Sequence, residues 1–246
     1  MCTISWLYNH QGYQIFFNRD EQRRREKAHP PEVFQSKLNN SHYIMPVDPQ
    51  GNGSWMGVTS DGVSICLLNY YQGNLPKGQL TSRGMLVRNL LELTSYKKVE
   101  QYLNTMDCMQ YAPFTLLIFS RSKSHPLSVC WDGQTTLKNI QATSPFTSSG
   151  VDFPSVSNHR QESYAKLLKH NNGTVDDHLL LKLHRSHLPE RSMNSVCMHR
   201  GDAKTVSLSH IKIDQHQADY TYWDGSPCAT AKVHKQRCKI SERIED

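Results

Sequence analysis

The sequence predicts a layered α+β protein, because paired strand-like segments are followed by helical segments and then by further strands. Residues 1–8 and 13–21 are rich in β-branched and aromatic side chains, and the short polar link Asn9-His10-Gln11-Gly12 joins them. This pattern predicts a β-hairpin. Residues 54–59 and 63–69 form a second pair around an Asp-Gly turn, which is a strong hairpin signal between apolar runs.

The remaining elements follow in order along the chain. Thr81 or Ser82 can cap a first helix, in which apolar residues recur at helical spacing at positions 85, 86, 90 and 93. Periodicity or continuous apolar character then predicts helices at 95–103, 154–170 and 175–185, and strands at 114–119, 127–131, 135–137, 195–200, 205–213 and 220–223. Residues from about 229 to 246 are mostly charged and polar, which predicts a partly frayed surface extension of a single domain.

Length and composition indicate a cytoplasmic protein. The 246 residues are enough for one domain with a sizeable core. No stretch approaches the ~18 apolar residues of a membrane span, and there is no basic-then-apolar signal peptide. The seven cysteines include no CxxC pair, which is typical of reduced thiols. We therefore expect no membrane span.

The charge balance permits an anionic ligand without demonstrating one. The formal net charge is +6 and the sequence pI is about 8.9. The run Arg23-Arg24-Arg25 could attract carboxylates, phosphates or nucleic acid, but a solvated loop explains it equally well. Acidic neighbours interrupt the run, and no nucleic-acid-binding fold accompanies it. We expect a small-molecule ligand and no nucleic acid.

The start of the chain carries the main candidate for chemistry. Cys2 follows Met1, and removal of Met1 would leave an α-amine and a thiol on the same residue. Because an α-amine titrates near pH ~8, it can act as the base for its own thiol. Arg19 and Asp20 end the second strand, where the hairpin returns towards Cys2, and we expect them to pair with each other and to be partly buried. The alternative is a buried structural cysteine beside a surface charge cluster.

A set of motifs resembles one family over nearly the whole chain. The sequence is similar to the NRDE family, also called the Transport and Golgi organisation 2 family, at Met1-Cys2-Thr3, Asn18-Arg19-Asp20-Glu21, residues 53–59, Leu68-Asn69-Tyr70, Thr147-Ser148-Ser149 and residues 196–207. More distantly it resembles the N-terminal-cysteine hydrolases, which cleave linear amides such as conjugated bile acids and penicillins. The resemblance implies a four-layer αββα sandwich, with two stacked, mainly antiparallel sheets between helices and Cys2 in a cleft.

The resemblance also implies roles for further residues. Asn69 matches an asparagine whose side-chain amide helps to hold the oxyanion in the hydrolases, although a strand-ending asparagine is also a common turn former. Ser148 and Ser149 match a segment near the nucleophile pocket, where the hydrolases have a second asparagine; in this chain Asn158 lies farther on. Arg200 matches an arginine that could hold the Cys2 thiolate or a ligand carboxylate.

Two functions from different classes follow, with haem trafficking as the expectation and amide hydrolysis as the alternative. The family implies intracellular haem trafficking, in which the protein is a haem chaperone that receives haem from and passes it to partner proteins. An apolar cleft with a basic rim would suit haem, Cys2 or a histidine could ligate its iron, and the arginines could anchor its propionates. The residues themselves favour an N-terminal-cysteine amidohydrolase or acyltransferase that uses Cys2, Arg19, Asp20, Asn69 and Arg200.

Neither haem nor a resident metal is indicated by the sequence itself. The chain has no Cys-Pro dipeptide, the usual mark of reversible haem binding through cysteine. His184 and His187 lie three residues apart and could face one ligand. Since the chain has 13 histidines, such a pair arises readily, and we predict no metal site.

Overall fold

The computed structural model describes residues 1–135, 137–229 and 231–241. The strands in this part of the chain are β1 (Cys2–Asn9), β2 (Gly12–Gln22), β3 (His29–Gln35), β4 (His42–Val47), β5 (Met56–Thr59), β6 (Val63–Asn69), β7 (Phe114–Ser120), β8 (Leu127–Trp131), β9 (Lys138–Asn139), β10 (Phe146–Ser148), β11 (Ala203–Ile213), β12 (Gln217–Asp224) and β13 (Lys232–Lys239). The helices are α1 (Arg83–Leu93), α2 (Tyr96–Thr105), α3 (Phe153–His170) and α4 (Asp177–Arg185), and a 3₁₀ turn covers Cys108–Gln110.

The strands form two antiparallel sheets. The first sheet has the order β10-β1-β2-β11-β12-β13, and the second runs in sequence order from β3 to β9. The hairpin β1–β2 lies inside the first sheet because β10 pairs with the free edge of β1 and β11 with that of β2. Both predicted hairpins are therefore present.

Because successive side chains of a strand point to opposite faces, each sheet has one face towards the other sheet and one face towards helices. Between the sheets, Ile4 and Phe17 from the first sheet meet Val58 and Phe119 from the second, in one continuous buried cluster. Each fully buried side chain of this size contributes about 1.5–3 kcal/mol.

Helices cover the outer face of each sheet. Phe16 of β2 points away from the inter-sheet core and packs with Leu180 and Leu183 of α4, together with Leu167 of α3. On the other sheet, α1 and α2 pack over residues that include Ile65. The order of layers is α3/α4, first sheet, second sheet, α1/α2. This arrangement confirms the predicted αββα sandwich.

Most of the predicted helices begin and end close to their expected positions. Ser82 caps α1, since its hydroxyl accepts a hydrogen bond from the backbone N–H of Gly84. The predicted helices at 154–170 and 175–185 correspond to α3 and α4. Among the described residues, no helix is both long and apolar enough to cross a bilayer.

Four local expectations were wrong. Residues 195–200 form no strand; they turn, and His199 makes only an isolated bridge with Lys204. Residues 29–35 and 42–47 are strands that were not predicted. Residues 232–239 are not a frayed extension, because they pair with β12 over eight residues as an edge strand. The strand expected at 135–137 is wrong as well, because Thr135 and Leu137 lie outside any strand and the strand covers Lys138–Asn139. Thr136 and residues 242–246 lie outside the described residues.

Candidate functional site

The register of the first sheet places Cys2 in a row of four aligned residues. Cys2 lies opposite Arg19 on β2 and opposite Ser148 on β10, and Arg19 in turn lies opposite Ser207 on β11. Directly opposed residues of antiparallel strands carry their side chains on the same face. The Cys2 and Arg19 side chains therefore both point towards the second sheet.

Cys2 and Arg19 line a cavity at one end of the sandwich, which we call the Cys2 cavity. Its volume is about 470 Å³. Asn69 at the end of β6, the nearby Tyr71, and Arg83 at the start of α1 also contribute to its wall. The remaining lining residues are Met1, Asp20, Glu21, Arg25, Asp48, Gly53, Ser54, Trp55, Leu67, Leu80, Thr81, Ser82, Gly84 and Ala112.

Arg19 is held rigidly in this wall. Its guanidinium donates to Asp48 at 2.9 Å and lies 3.5 Å from Glu21. The guanidinium carbon is 4.3 Å from the centroid of the Trp55 ring, which is cation–π geometry. Arg25 also donates to Asp48, at 2.7 Å. The side chain of Arg19 is only 8% exposed, so its positive charge is fixed beside Cys2.

Asp20 faces the opposite side of the sheet from Arg19. Its carboxylate lies 3.4 Å from the guanidinium of Arg160 on α3, and both side chains are completely buried. The Thr205 hydroxyl donates to the same carboxylate at 2.6 Å. Burial raises the pKa of Asp20, while Arg160, the N-terminal ammonium and Thr205 act against that change.

The expected pair between Arg19 and Asp20 is therefore wrong. Both residues are buried, but consecutive residues of a strand point to opposite faces and cannot reach each other. Arg19 instead pairs within the Cys2 cavity, and Asp20 pairs with the helix layer.

The Cys2 thiol lies among groups that act on its protonation in opposite directions. Burial raises its pKa, whereas the N-terminal ammonium and Arg19 lower it. For the Met1 amine, burial lowers the pKa, but the charges of Cys2, Tyr71 and Asp20 outweigh burial and the net shift is upward. The thiol and the amine are thus electrostatically linked to each other and to Asp20.

A short polar network crosses the mouth of the Cys2 cavity. The Met1 ammonium donates to the Tyr71 hydroxyl at 3.2 Å, and the side-chain amide of Asn69 donates to the same hydroxyl at 3.0 Å. The carbonyl of Met1 accepts from the backbone N–H of Asp20 at 3.1 Å. Asn69 thus presents its amide N–H groups at the cavity.

The other residues chosen from the sequence lie at varying distances from this cavity. Ser148 is beside Cys2, and its buried hydroxyl has no hydrogen-bond partner among the described residues. The Ser149 hydroxyl donates to the carbonyl of Val151. Asn158 points along the exposed side of α3, where it donates to Glu162.

Arg200 does not reach the thiol. Its guanidinium makes a two-point contact with Asp202, at 2.9 and 2.7 Å. It lines a neighbouring hollow of about 290 Å³, which Met1 and Asp20 also border. The implied contact between Arg200 and Cys2 is not made.

Two arginines at or near the Cys2 cavity, Arg160 and Arg83, were not predicted from the sequence. Arg160 lies four residues after Val156 and four before Tyr164, so a charged residue within the apolar face of α3 was a usable signal. Arg83 gives no such signal. It lines the Cys2 cavity and donates to the carbonyl of Pro113 at 2.7 Å. Burial lowers the pKa of Arg83, and nearby Tyr71 and Cys2 act in the opposite direction.

Gly53 allows the loop before β5 to approach the start of α1. A Cβ at this position would overlap the backbone of Gly84. The contact is fixed by a hydrogen bond of 3.0 Å from the N–H of Ser54 to the carbonyl of Gly84. Both glycines line the Cys2 cavity, so this close approach shapes its wall.

The sequence matches the family described as Transport and Golgi organisation 2 over residues 1–243. A comparison with curated proteins finds no match to the chain.

Solved structures show the same fold at low sequence identity. Penicillin V acylase from Agrobacterium tumefaciens has a TM-score of 0.55 at 11% identity, covering 95% of this chain and 85% of that one. The Caenorhabditis elegans ortholog of N-acylethanolamine-hydrolyzing acid amidase has a TM-score of 0.55 at 12% identity, covering 86% and 92%. A mutant conjugated bile acid hydrolase from Clostridium perfringens has a TM-score of 0.54 at 10% identity, covering 100% and 99%. The chain has the N-terminal-nucleophile hydrolase fold.

Proposed function

On the premise that the chain belongs to the Transport and Golgi organisation 2 family, we propose that it hydrolyses linear acyl amides with Cys2 as the nucleophile. The observation that carries the proposal is the position of Cys2: its thiol shares one cavity with Arg19, Asn69 and Arg83, and the N-terminal amine lies beside it. The proposal requires that Met1 is removed, so that Cys2 provides both the thiol and the α-amine.

The reaction follows from the groups around Cys2. The α-amine takes the thiol proton, and the thiolate attacks the amide carbon to form a tetrahedral intermediate. An N–H of Asn69 donates to the oxyanion. The intermediate collapses to a thioester when the leaving amine takes a proton from the α-ammonium. Water, deprotonated by the α-amine, then hydrolyses the thioester and restores the thiol.

Arg19 and Asp20 support different parts of this chemistry. Burial raises the pKa of the Cys2 thiol, and the fixed positive charge of Arg19 acts against that rise, together with the larger effect of the N-terminal ammonium. The negative charge of Asp20 acts on the N-terminal ammonium from the helix side of the sheet. Asp20 therefore stabilises the ammonium through its charge and does not react itself.

The substrate class rests on the cavity and on the names of the similar proteins. Penicillin V acylase, the acid amidase and the bile acid hydrolase are all named for acyl amides. Arg83 is well placed to bind an anionic group on such a substrate. Met1 borders both the Cys2 cavity and the hollow beside Arg200, so its removal would widen the site towards Arg200.

Haem binding is a second candidate, because Arg19, Arg25 and Arg83 line the same cavity as the Cys2 thiol. A haem with two propionates could pair with such guanidinium groups. However, Arg19 and Arg25 already share Asp48, and charged side chains occupy much of the wall. The expected apolar cleft is therefore wrong, and haem handling with donor and acceptor proteins ranks second.

We place either activity in the cytoplasm. All seven cysteines are free thiols, and a nucleophilic Cys2 needs a reducing compartment to remain a thiol.

The test begins with intact mass spectrometry of the protein purified from cells, where we expect a chain that begins at Cys2. Purified protein is then assayed for amine release from penicillin V, an N-acylethanolamine and a glycine-conjugated bile acid. Cys2→Ala should abolish turnover, whereas Cys238→Ala, on the edge strand β13, should retain it. Asn69→Ala should lower kcat by about 10²–10³-fold, as expected for loss of an oxyanion donor.

Haem is titrated into the same preparations. Quantitative retention of Met1 would overturn the self-activating mechanism. Saturable one-to-one haem binding that Cys2→Ala weakens, without amide turnover, would promote the haem function over hydrolysis. Turnover that depends on Cys2, with no saturable change in the Soret band, would support the hydrolase.

A further inference from the structure

A second cluster of reactive side chains lies outside the Cys2 cavity. The cluster consists of His187, Cys197, His199 and Cys228, each of which offers one nitrogen or sulfur atom, and these four atoms all lie within 4.8 Å of one another. None of the four residues takes part in the proposed hydrolysis. The sequence did not indicate this cluster, because its members have no regular spacing and His184, considered with His187, is bonded elsewhere, to Ser5.

The cluster joins three separate segments of the chain. His187 follows α4, Cys197 and His199 lie in the turn region before β11, and Cys228 follows β12. Backbone hydrogen bonds fix two of these segments together, since the N–H of Cys197 donates to the carbonyl of Ser186 at 3.0 Å. The segment of His187 and the segment of Cys197 and His199 are therefore held together by the surrounding fold.

Two distances within the cluster are close to an edge of the tetrahedron around a zinc ion. Zinc bonds of ~2.05 Å to nitrogen and ~2.3 Å to sulfur, at the tetrahedral angle, separate nitrogen from sulfur by ~3.6 Å. His199 Nε2 lies 3.7 Å from Cys197 Sγ and 3.3 Å from Cys228 Sγ. The rings of His187 and His199 stand edge to face, with centroids 5.2 Å apart.

The surroundings of the cluster differ from one member to the next. His187 Nε2 is buried and has no hydrogen-bond partner within the described residues, and such buried atoms are rare in folded proteins unless a ligand or water completes them. Cys197 is completely buried. The Arg191 guanidinium lies 3.7 Å from Cys228 Sγ.

We propose that His187, Cys197, His199 and Cys228 bind one zinc ion. Two imidazoles and two thiolates are a donor set that zinc prefers, and four protein ligands leave no open position, which is typical of a structural site. On binding, each thiol releases its proton to solvent, so that two thiolates neutralise the ion. No oxidant or reductant takes part.

The zinc site would stabilise the segment that closes over Asp20. The carbonyl of Met193 accepts from Arg160 at 3.0 Å, and the N–H of Met198 donates to the Thr205 hydroxyl at 2.8 Å. Arg160 and Thr205 are the two side chains that bind the Asp20 carboxylate. Zinc would thus hold the support of Asp20 in place, whether or not the protein is a hydrolase.

The first measurement is the metal content of the full chain purified without chelator, where we expect one zinc per chain. Apoprotein, prepared under reducing conditions, is then titrated with Co²⁺. Ligation by Cys197 and Cys228 predicts thiolate-to-cobalt charge-transfer bands in the near ultraviolet, together with the strong visible bands of tetrahedral cobalt. Both measurements use the wild-type chain, so they do not depend on any variant folding.

Cys228→Ser is the test variant, because Cys228 lies in a partly exposed turn, and Cys130→Ser on β8 is its matched control. We expect Cys228→Ser to weaken zinc binding by at least ~100-fold. Loss of a residue that only hydrogen-bonds to a zinc ligand already lowers metal affinity by about 10–100-fold. The control should bind as the wild type does.

Three results would overturn the proposal: a cobalt complex without thiolate bands, zinc affinity unchanged in Cys228→Ser, or a disulfide between Cys197 and Cys228 in protein that binds no zinc after reduction. The amide and haem assays above do not enter this test. The two proposals can therefore fail separately.

Discussion

The buried pair between Asp20 and Arg160 should be one of the most sensitive points in the fold. Arg160→Met keeps most of the side-chain volume but leaves the Asp20 carboxylate without its cation. Breaking a buried pair by removal of one partner typically costs ~3–5 kcal/mol. In a chain of this length, that loss corresponds to a fall in Tm of roughly 6–20 °C, because 1 kcal/mol shifts Tm by about 2–4 °C.

Other contacts of the pair act on this cost in both directions. Arg160 also donates to the Thr3 hydroxyl and to the carbonyl of Met193. After Arg160→Met, the Asp20 carboxylate would retain the Thr205 hydroxyl as a donor. We therefore expect Arg160→Met to lower the free energy of unfolding by ~3–5 kcal/mol. Asp20→Asn should lower it by a similar amount, because it leaves the Arg160 guanidinium buried without its anion.

The double variant Asp20→Asn/Arg160→Met separates pairing from packing. It buries no charge, so its loss should be smaller than the sum of the two single losses, by about 0.5–3 kcal/mol. Arg200→Met is the matched control. Its pair with Asp202 is partly exposed, with side-chain exposures of 26% and 62%, and exposed pairs contribute about 0–1 kcal/mol.

The assay is urea unfolding followed by circular dichroism, with the m-value checked for each variant. A loss below 1 kcal/mol for Arg160→Met, equal to that of Arg200→Met, would refute the argument that this pair stabilises the fold. Additive losses in the double variant would refute the claim that the two charges depend on each other.

Two further predictions concern protonation and packing. Burial lowers the pKa of His184 to about 3, so between about pH 6 and 4 the unfolded chain binds a proton there that the native protein does not. The free energy of unfolding should therefore fall with decreasing pH by ~1.4 kcal/mol per unit more steeply in the wild type than in His184→Gln, and parallel slopes would contradict this. Gly53→Ala should destabilise the protein by about 1–3 kcal/mol, because the added methyl group meets the Gly84 backbone. Gly201→Ala has open space and should stay within ~0.5 kcal/mol in the same unfolding assay; equal effects would show that the loop can move away.

The hairpin that carries Cys2 could be predicted because its information is local. Two alternating strands and a tight link fix the pairing, and the pairing brings Arg19 opposite Cys2. The same strand alternation, applied to Arg19 and Asp20, would have shown that neighbours cannot pair. The expected pair assumed that Arg19 and Asp20 form one charge cluster, whereas they lie on opposite faces of β2.

The features that the sequence did not predict depend mostly on contacts between residues that are far apart in the chain. Asp20 and Arg160 are 140 positions apart, and nothing in the sequence near either residue specifies the other. β3 carries two prolines, which weaken the strand signal and suit an edge position, and β3 is an edge strand. The Cys228 thiol meets His199 only because the loop after β12 folds back over the turn before β11.

Strand alternation also divides the Asn18-Arg19-Asp20-Glu21 motif into two functions. Arg19 and Glu21 face the Cys2 cavity, whereas Asn18 and Asp20 face the helix layer. Asn18 donates to the carbonyls of His184 and Val196, each at 2.9 Å, and so ties α4 and the segment beside Cys197 to β2. The even positions thus stabilise the architecture, while the odd positions serve the cavity. A related protein without cysteine chemistry would still need Asn18 and Asp20 to fold, whereas its fold would not require Arg19. Asn18 and Asp20 are therefore explained by the fold, even though the charge of Asp20 also acts on the amine, and Arg19 is the position of the motif that reports on the chemistry of Cys2.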